Sequence, residues 1–218
     1  MDFLTNIAAI AFLMLMAAMA PGPDFALAVR NAVAYSRRTG VLTALGFALG
    51  VCVHATYCIL GIAALISKSI LIFNVLKYVG AAYLIYLGIQ ALRASGHHGE
   101  INTHINAAPP RDLSIFAAIG SGFVTNILNP KATMFFLSLF TQVIDPHTPV
   151  LIQMVYVSVC FFVVFGWFSF VALVLTQNRV KNIFLGFSKW IDRVCGVAMI
   201  AFGLRLAFSK INPVGAGS

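Results

Sequence analysis

The sequence predicts an all-α integral membrane protein of about six transmembrane helices, arranged as two inverted three-helix repeats. Three observations lead there. Of 218 residues, 61% are hydrophobic and 9% charged, whereas a soluble domain carries about 25% charged residues. Mean hydropathy is +0.95. Apolar runs recur along the whole chain, and at about 20 residues per span they leave no room for a soluble domain. The chain therefore reads as one transmembrane domain, residues 1–218. A first three-helix repeat takes 1–93, a cytoplasmic connecting loop 94–112 and a second repeat 113–210.

The first apolar run covers residues 3–29. Ala18-Met19-Ala20 has the small residues of a cleavage site, but Asp2 stands where a leader has basic residues and Pro21 follows at once. An uncleaved first span is expected. Pro21-Gly22-Pro23 interrupts it. Two prolines remove two backbone donors, and Gly22 adds conformational freedom, so a helix breaks or kinks there. Asp24 comes next, and a carboxylate in an apolar stretch is costly unless it has a partner or a job. Arg30, Asn31, Arg37 and Arg38 read as a polar turn. The second run, 41–66, holds Gly46 and Gly50, a small-xxx-small spacing that packs helices closely within the chain or across a homodimer. It also holds His54. The third run covers 70–92.

Arg93 to Asp112 is the only long polar stretch. His97, His98 and His104 lie in it without a fixed ligand spacing, so no metal site is expected. The fourth run, 113–144, is interrupted at Asn126 and by Asn129-Pro130-Lys131. It exceeds one straight crossing and reads as broken, kinked or re-entrant. The fifth covers 150–175. The sixth starts after Arg179 and Lys181, passes Trp190 at an interface and ends near Phe208.

The net charge of +8 fits loops that face anionic lipid. No segment is long enough to form a basic face for nucleic acid, so no such partner is expected. Cys52, Cys58, Cys160 and Cys195 fall in or beside apolar runs and read as small core residues. Arg30, Arg37, Arg38, Arg93, Arg111, Arg179, Lys181 and Lys189 fall in loops one, three and five, against Lys68 in loop two. That bias puts the odd loops in the cytoplasm and both termini outside.

Residues 77–88 match residues 192–203, and Pro23-Asp24 then corresponds to Pro130-Lys131. A repeat of three spans inserts its second copy inverted, and broken helices at matching places point to a site at the repeat interface. Asp24 and Lys131 would flank a substrate bearing both an ammonium and a carboxylate, with helix N-termini assisting Lys131. A structural ion pair or two snorkelling residues would also account for them. Asn126 and Asn129 would bond substrate or satisfy carbonyls freed by the break. His54 would help carry a coupled proton or sit neutral against a neighbouring helix. Asp24, His54 and Lys131 read as the only titratable groups of this kind within spans.

Ala20-Pro21-Gly22-Pro23-Asp24-Phe25, Arg30-Asn31, Arg37-Arg38-Thr39-Gly40, Gly46, Gly50 and His54 resemble the first half of the LysE/RhtB family of amino-acid exporters. Leu128-Asn129-Pro130-Lys131-Ala132 with Phe135-Phe136, and Gly80-Ala81-Ala82-Tyr83-Leu84, resemble its later signatures. The resemblance implies a multi-pass protein of the bacterial inner membrane that exports an amino acid, driven by the proton motive force. Ser36, where the family commonly has glycine, and Thr141-Gln142, where Pro-Gln is common, depart from the pattern. The expected activity is export of a neutral or hydroxylated amino acid such as threonine or homoserine by proton antiport, with no cofactor. Export of lysine or arginine is the alternative. An intramembrane enzyme would need a nucleophile with its base or an acid pair. A scaffold would leave Asp24 and Lys131 unexplained.

Overall fold

The computed structural model describes residues 3–20, 22–68, 70–93, 112–143, 148–174 and 178–208. These form eight helices: α1 (Phe3–Met19), α2 (Pro23–Ala34), α3 (Arg37–Lys68), α4 (Ile70–Arg93), α5 (Ile115–Ile127), α6 (Pro130–Val143), α7 (Val150–Val174) and α8 (Asn178–Phe208). The described residues contain no strand. Among the described residues, two helices are long and apolar enough to cross a membrane, α7 and the 37–61 part of α3. A third span results if α1 and α2, inclined by 65°, are taken as one. This is the architecture of a membrane protein. Pro21, the loop histidines and Arg111 lie outside the described residues.

Two polar stretches differ from expectation. Arg30 and Asn31 do not end the first segment, because α2 continues to Ala34. Asn31 is buried and donates to Thr43 Oγ1 (3.0 Å) and Ser121 Oγ (3.3 Å). An amide supplied with tertiary partners need not leave a helix for water. Likewise Arg179, Lys181 and Lys189 fall inside α8 rather than in a loop. Lysine and arginine are good helix formers, so a helix can run on past its apolar part.

α3 is central and touches α2, α4, α5, α6 and α7. Phe47 of α3 meets Phe168 of α7 with ring centroids 4.8 Å apart. α3 and α5 run parallel and very close, Thr43 and Gly46 lying level with Gly122, and Gly50 with Asn126. A Cβ on Gly46 would strike the Ile119 carbonyl oxygen, which is backbone. α4 and α8 run antiparallel, with Gly88 against Gly196 and Ile200, and Gly203 against Ala81 and Ile85. The four cysteines are free, three of them buried.

Ser36 explains how α3 begins. Its Oγ accepts from Thr39 N–H (3.1 Å), the N-cap arrangement. Its hydroxyl also donates to the Asp112 carboxylate (2.7 and 2.8 Å), as does Thr39 Oγ1 (2.5 Å). Asp112 precedes α5, so it links the α3 start to the second half of the chain. These hydrogen bonds, that from Thr39 first, hold the exposed Asp112 carboxyl below its ordinary value of 3.8. A depressed carboxyl contributes stability above its unfolded pKa and loses it as pH falls through the folded value. The thermal-stability gap between wild type and Asp112→Ala should thus be constant near neutrality and shrink below pH 3.8. Thermal unfolding in detergent across pH checks this, and a gap that widens with acid would contradict it.

Candidate functional site

Both chain breaks meet at one place. α2 starts with Pro23 at its first position, where the missing N–H costs nothing and the fixed φ suits a helix. This sets Asp24 in the first turn, where a carboxylate complements the helix dipole. α6 starts the same way at Pro130. Asn129 caps it, its Oδ1 accepting from the Lys131 N–H at 3.0 Å. The remaining Asn129 amide donates to Asp24 Oδ1 at 3.1 Å, and Asn126 Nδ2 donates to Asp24 Oδ2 at 2.6 Å. One carboxylate from the first break is therefore held by two amides that flank the second. The asparagines serve this carboxylate rather than the carbonyls freed by the break.

Lys131 reaches the other way. Its Nζ donates to the carbonyls of Ala20 (2.9 Å) and Ala17 (3.2 Å). A cation suits these, because carbonyls at a helix C-terminus lack intrahelical partners and carry the negative end of the dipole. The same cation is unfavourably placed at the start of its own helix, so α1 supplies what α6 withholds. Lys131 passes Gly22 at ordinary van der Waals range: a Cβ there would sit 3.4 Å from Nζ. Asp24 and Asp192 both act electrostatically on this ammonium.

His54 completes the group. Its Nε2 lies 3.0 Å from the Asn126 carbonyl oxygen and its Nδ1 2.6 Å from the Tyr57 hydroxyl. Its ring stacks on Phe136, with centroids 5.5 Å apart. Gly50 makes room for the Asn126 side chain, since a Cβ would fall 2.6 Å from Oδ1. That oxygen is buried and has no hydrogen-bond partner among the described residues. Gly46 and Gly50 thus face α5 within the chain. The structure brings together Asp24, Asn126, Asn129, Lys131 and His54, which the sequence singled out from three separate runs.

Two residues escaped the sequence reading. Tyr57 stands three positions after His54, a helical spacing that could have drawn notice. Asp192 corrects the expectation that Asp24, His54 and Lys131 were the only such groups within spans. It is 1% exposed and lies well inside α8. Its burial depends on packing that sequence does not carry.

The site borders a half-open cavity of about 40 Å³ lined by Asp24, Asn126, Asn129, Lys131, Phe136 and Phe168, among others. This is room for a few waters and not for an amino acid.

Comparison with known proteins gives the site a context. No solved structure matches the chain. The threonine efflux protein of Escherichia coli strain K12 is 28% identical over 204 residues, covering 92% of this chain and 97% of that protein. The threonine efflux protein of Salmonella typhimurium matches to the same extent. An uncharacterized membrane protein of Haemophilus influenzae is 28% identical over 196 residues, covering 90% and 93%. The LysE type translocator family matches over residues 15–210. The chain belongs to the LysE type translocator family.

Proposed function

We propose that the protein exports a small neutral or hydroxylated amino acid, such as threonine or homoserine, from the cytoplasm in exchange for protons. The observation that carries this is the meeting of the two breaks. Asp24, held by Asn126 and Asn129, offers a negative group for a substrate ammonium. Lys131, resting on carbonyls, offers a positive group for a carboxylate. A zwitterion needs both. The likeness to threonine efflux proteins agrees, and export of basic amino acids is the second reading, favoured by the second buried acid, Asp192. As a secondary carrier the protein would sit as a multi-pass protein in the bacterial inner membrane.

Exchange by alternating access fits six spans in two inverted halves. The order of elements supports it: a broken pair, α1–α2, precedes α3 and α4, and a second broken pair, α5–α6, precedes α7 and α8. The α4–α8 contact supports it independently. The sequence match pairs 88 with 203, 81 with 196 and 85 with 200. Gly88 lies against Gly196 and Ile200, and the same substitution of numbers yields Gly203 against Ala81 and Ile85. Both contacts are present, as a two-fold axis between α4 and α8 would require.

The test is an efflux panel over all amino acids in dipeptide-loaded cells with and without the protein. Threonine or homoserine efflux that collapses when the proton gradient is dissipated is the expected result. Retention of every amino acid in both cell types would overturn the reading. In the same assay Lys131→Ala should raise the substrate concentration giving half-maximal efflux by about ten- to a hundredfold, the equivalent of the roughly 1.5–3 kcal/mol of a charge-assisted hydrogen bond. An unchanged concentration dependence would remove Lys131 from substrate binding.

A further inference from the structure

A second, larger cavity of about 460 Å³ lies on the other side of Lys131. Its lining is Ala20, Leu87, Gln90, Ala91, Arg93, Lys131 and Met199. It shares Ala20 and Lys131 with the small cavity at Asp24, so those two residues form the partition between them. The lysine is tied to the α1 side of that partition by its bonds to the Ala17 and Ala20 carbonyls. Among the described residues, the charged side chains in the lining are two cations, Arg93 and Lys131, and none is acidic. Asp192, buried on α8 and acting on Lys131, balances the lysine from outside the lining. Gln90 and Arg93 are exposed and mark the rim. They stand at the C-terminal end of α4, which leads into the connection read as cytoplasmic.

We propose that this second cavity is a loading site for the carboxylate of the amino acid, held by Arg93 and Lys131 before the molecule reaches Asp24. This rests on the export reading and adds a stage to it. A carboxylate gives Lys131 a charge-assisted bond, stronger than its bonds to neutral carbonyls. A ligand in the outer cavity therefore competes for the ammonium and draws it off the α1 C-terminus. The carbonyls of Ala17 and Ala20, released by Lys131, are then suited to receive the ligand's own ammonium. The partition opens only for a molecule that carries both charges, which excludes simple amines and simple acids from the inner site.

The experiment uses Gln90→Cys in protein whose Cys52, Cys58, Cys160 and Cys195 are replaced by alanine. The alkylation rate of the new thiol by a maleimide is measured in proteoliposomes, with L-threonine, L-lysine or L-threonine amide present, and efflux by the same variant and by wild type is measured in cells. Several-fold slowing by an exported amino acid, none by the amide, is expected. The slowing should persist in Asp24→Asn and vanish in Arg93→Gln. Equal slowing by the amide, or loss of the slowing in Asp24→Asn, would overturn the loading site. So would efflux of an amino acid that gives no slowing. Slowing by the carboxylate-bearing compounds without efflux would instead overturn the export reading and leave a carboxylate site. Neither slowing nor efflux would overturn both.

Discussion

Asp24→Asn is expected to reduce amino-acid efflux to the level of cells lacking the protein, while the variant still accumulates in the membrane. The carboxylate accepts hydrogen bonds from two amide donors, Asn126 Nδ2 and Asn129 Nδ2. An asparagine at position 24 can present one oxygen to one of them. Its own NH2 faces a second donor unless the Asn126 amide turns over to present its unpartnered Oδ1, so two bonds to a charged acceptor become neutral ones or one is lost. The site loses its negative charge, and with it the attraction for an ammonium and the electrostatic partner of Lys131. A hydrogen bond to a charged group contributes about 1.5–3 kcal/mol, so neutralising the acceptor of two such bonds costs efflux on the order of one to several powers of ten. The fold does not depend on this contact alone. The α3–α5 and α4–α8 glycine contacts and the Phe47–Phe168 packing lie elsewhere. Labelled threonine efflux with an immunoblot of the membrane fraction checks both halves. Undiminished efflux at normal abundance would sink the assignment of Asp24 to the transport site.

Much of this site could be read from the sequence because its parts carry local signals. Pro23 and Pro130 announce helix starts, and Asp24 and Lys131 are charges beside them in apolar surroundings. Segment extents were legible in the longer apolar runs: the readings 70–92 and 150–175 overlap Ile70–Arg93 and Val150–Val174. What failed was nonlocal. Arg30 and Asn31 looked like a turn because nothing nearby in sequence explains a buried amide. Its partners, Thr43 and Ser121, come from two other helices. Asp192 was overlooked for the same reason, since only packing decides which face of α8 is covered. The direction in which Lys131 points, toward α1 rather than into the Asp24 cavity alone, depends on the inclination of α1 to α6. No spacing rule gives that, and the outer cavity follows from it.

Gly46→Ala should cost substantial stability, while Gly120→Ala should cost none. Both add one methyl group to a helical glycine. At Gly46 the added carbon would strike the Ile119 carbonyl oxygen and fall 2.7 Å from the Phe123 nitrogen. Those atoms are helix backbone and cannot swing aside, so α3 and α5 must separate. Overpacking of this kind costs about 1–3 kcal/mol, occasionally more. At Gly120, on the partner helix, nothing lies within 4 Å of the added carbon. There alanine gains its helix propensity, about 1 kcal/mol over glycine. The consequence reaches the site, because α5 carries Asn126. Separating α5 from α3 lengthens the 3.0 Å contact between His54 Nε2 and the Asn126 carbonyl and moves Nδ2 from Asp24. Gly46→Ala should therefore lower the melting temperature in detergent and depress efflux together, and Gly120→Ala should raise the melting temperature slightly with efflux intact. A Gly46→Ala protein with wild-type melting and efflux would show that α3 and α5 do not approach this closely in the membrane.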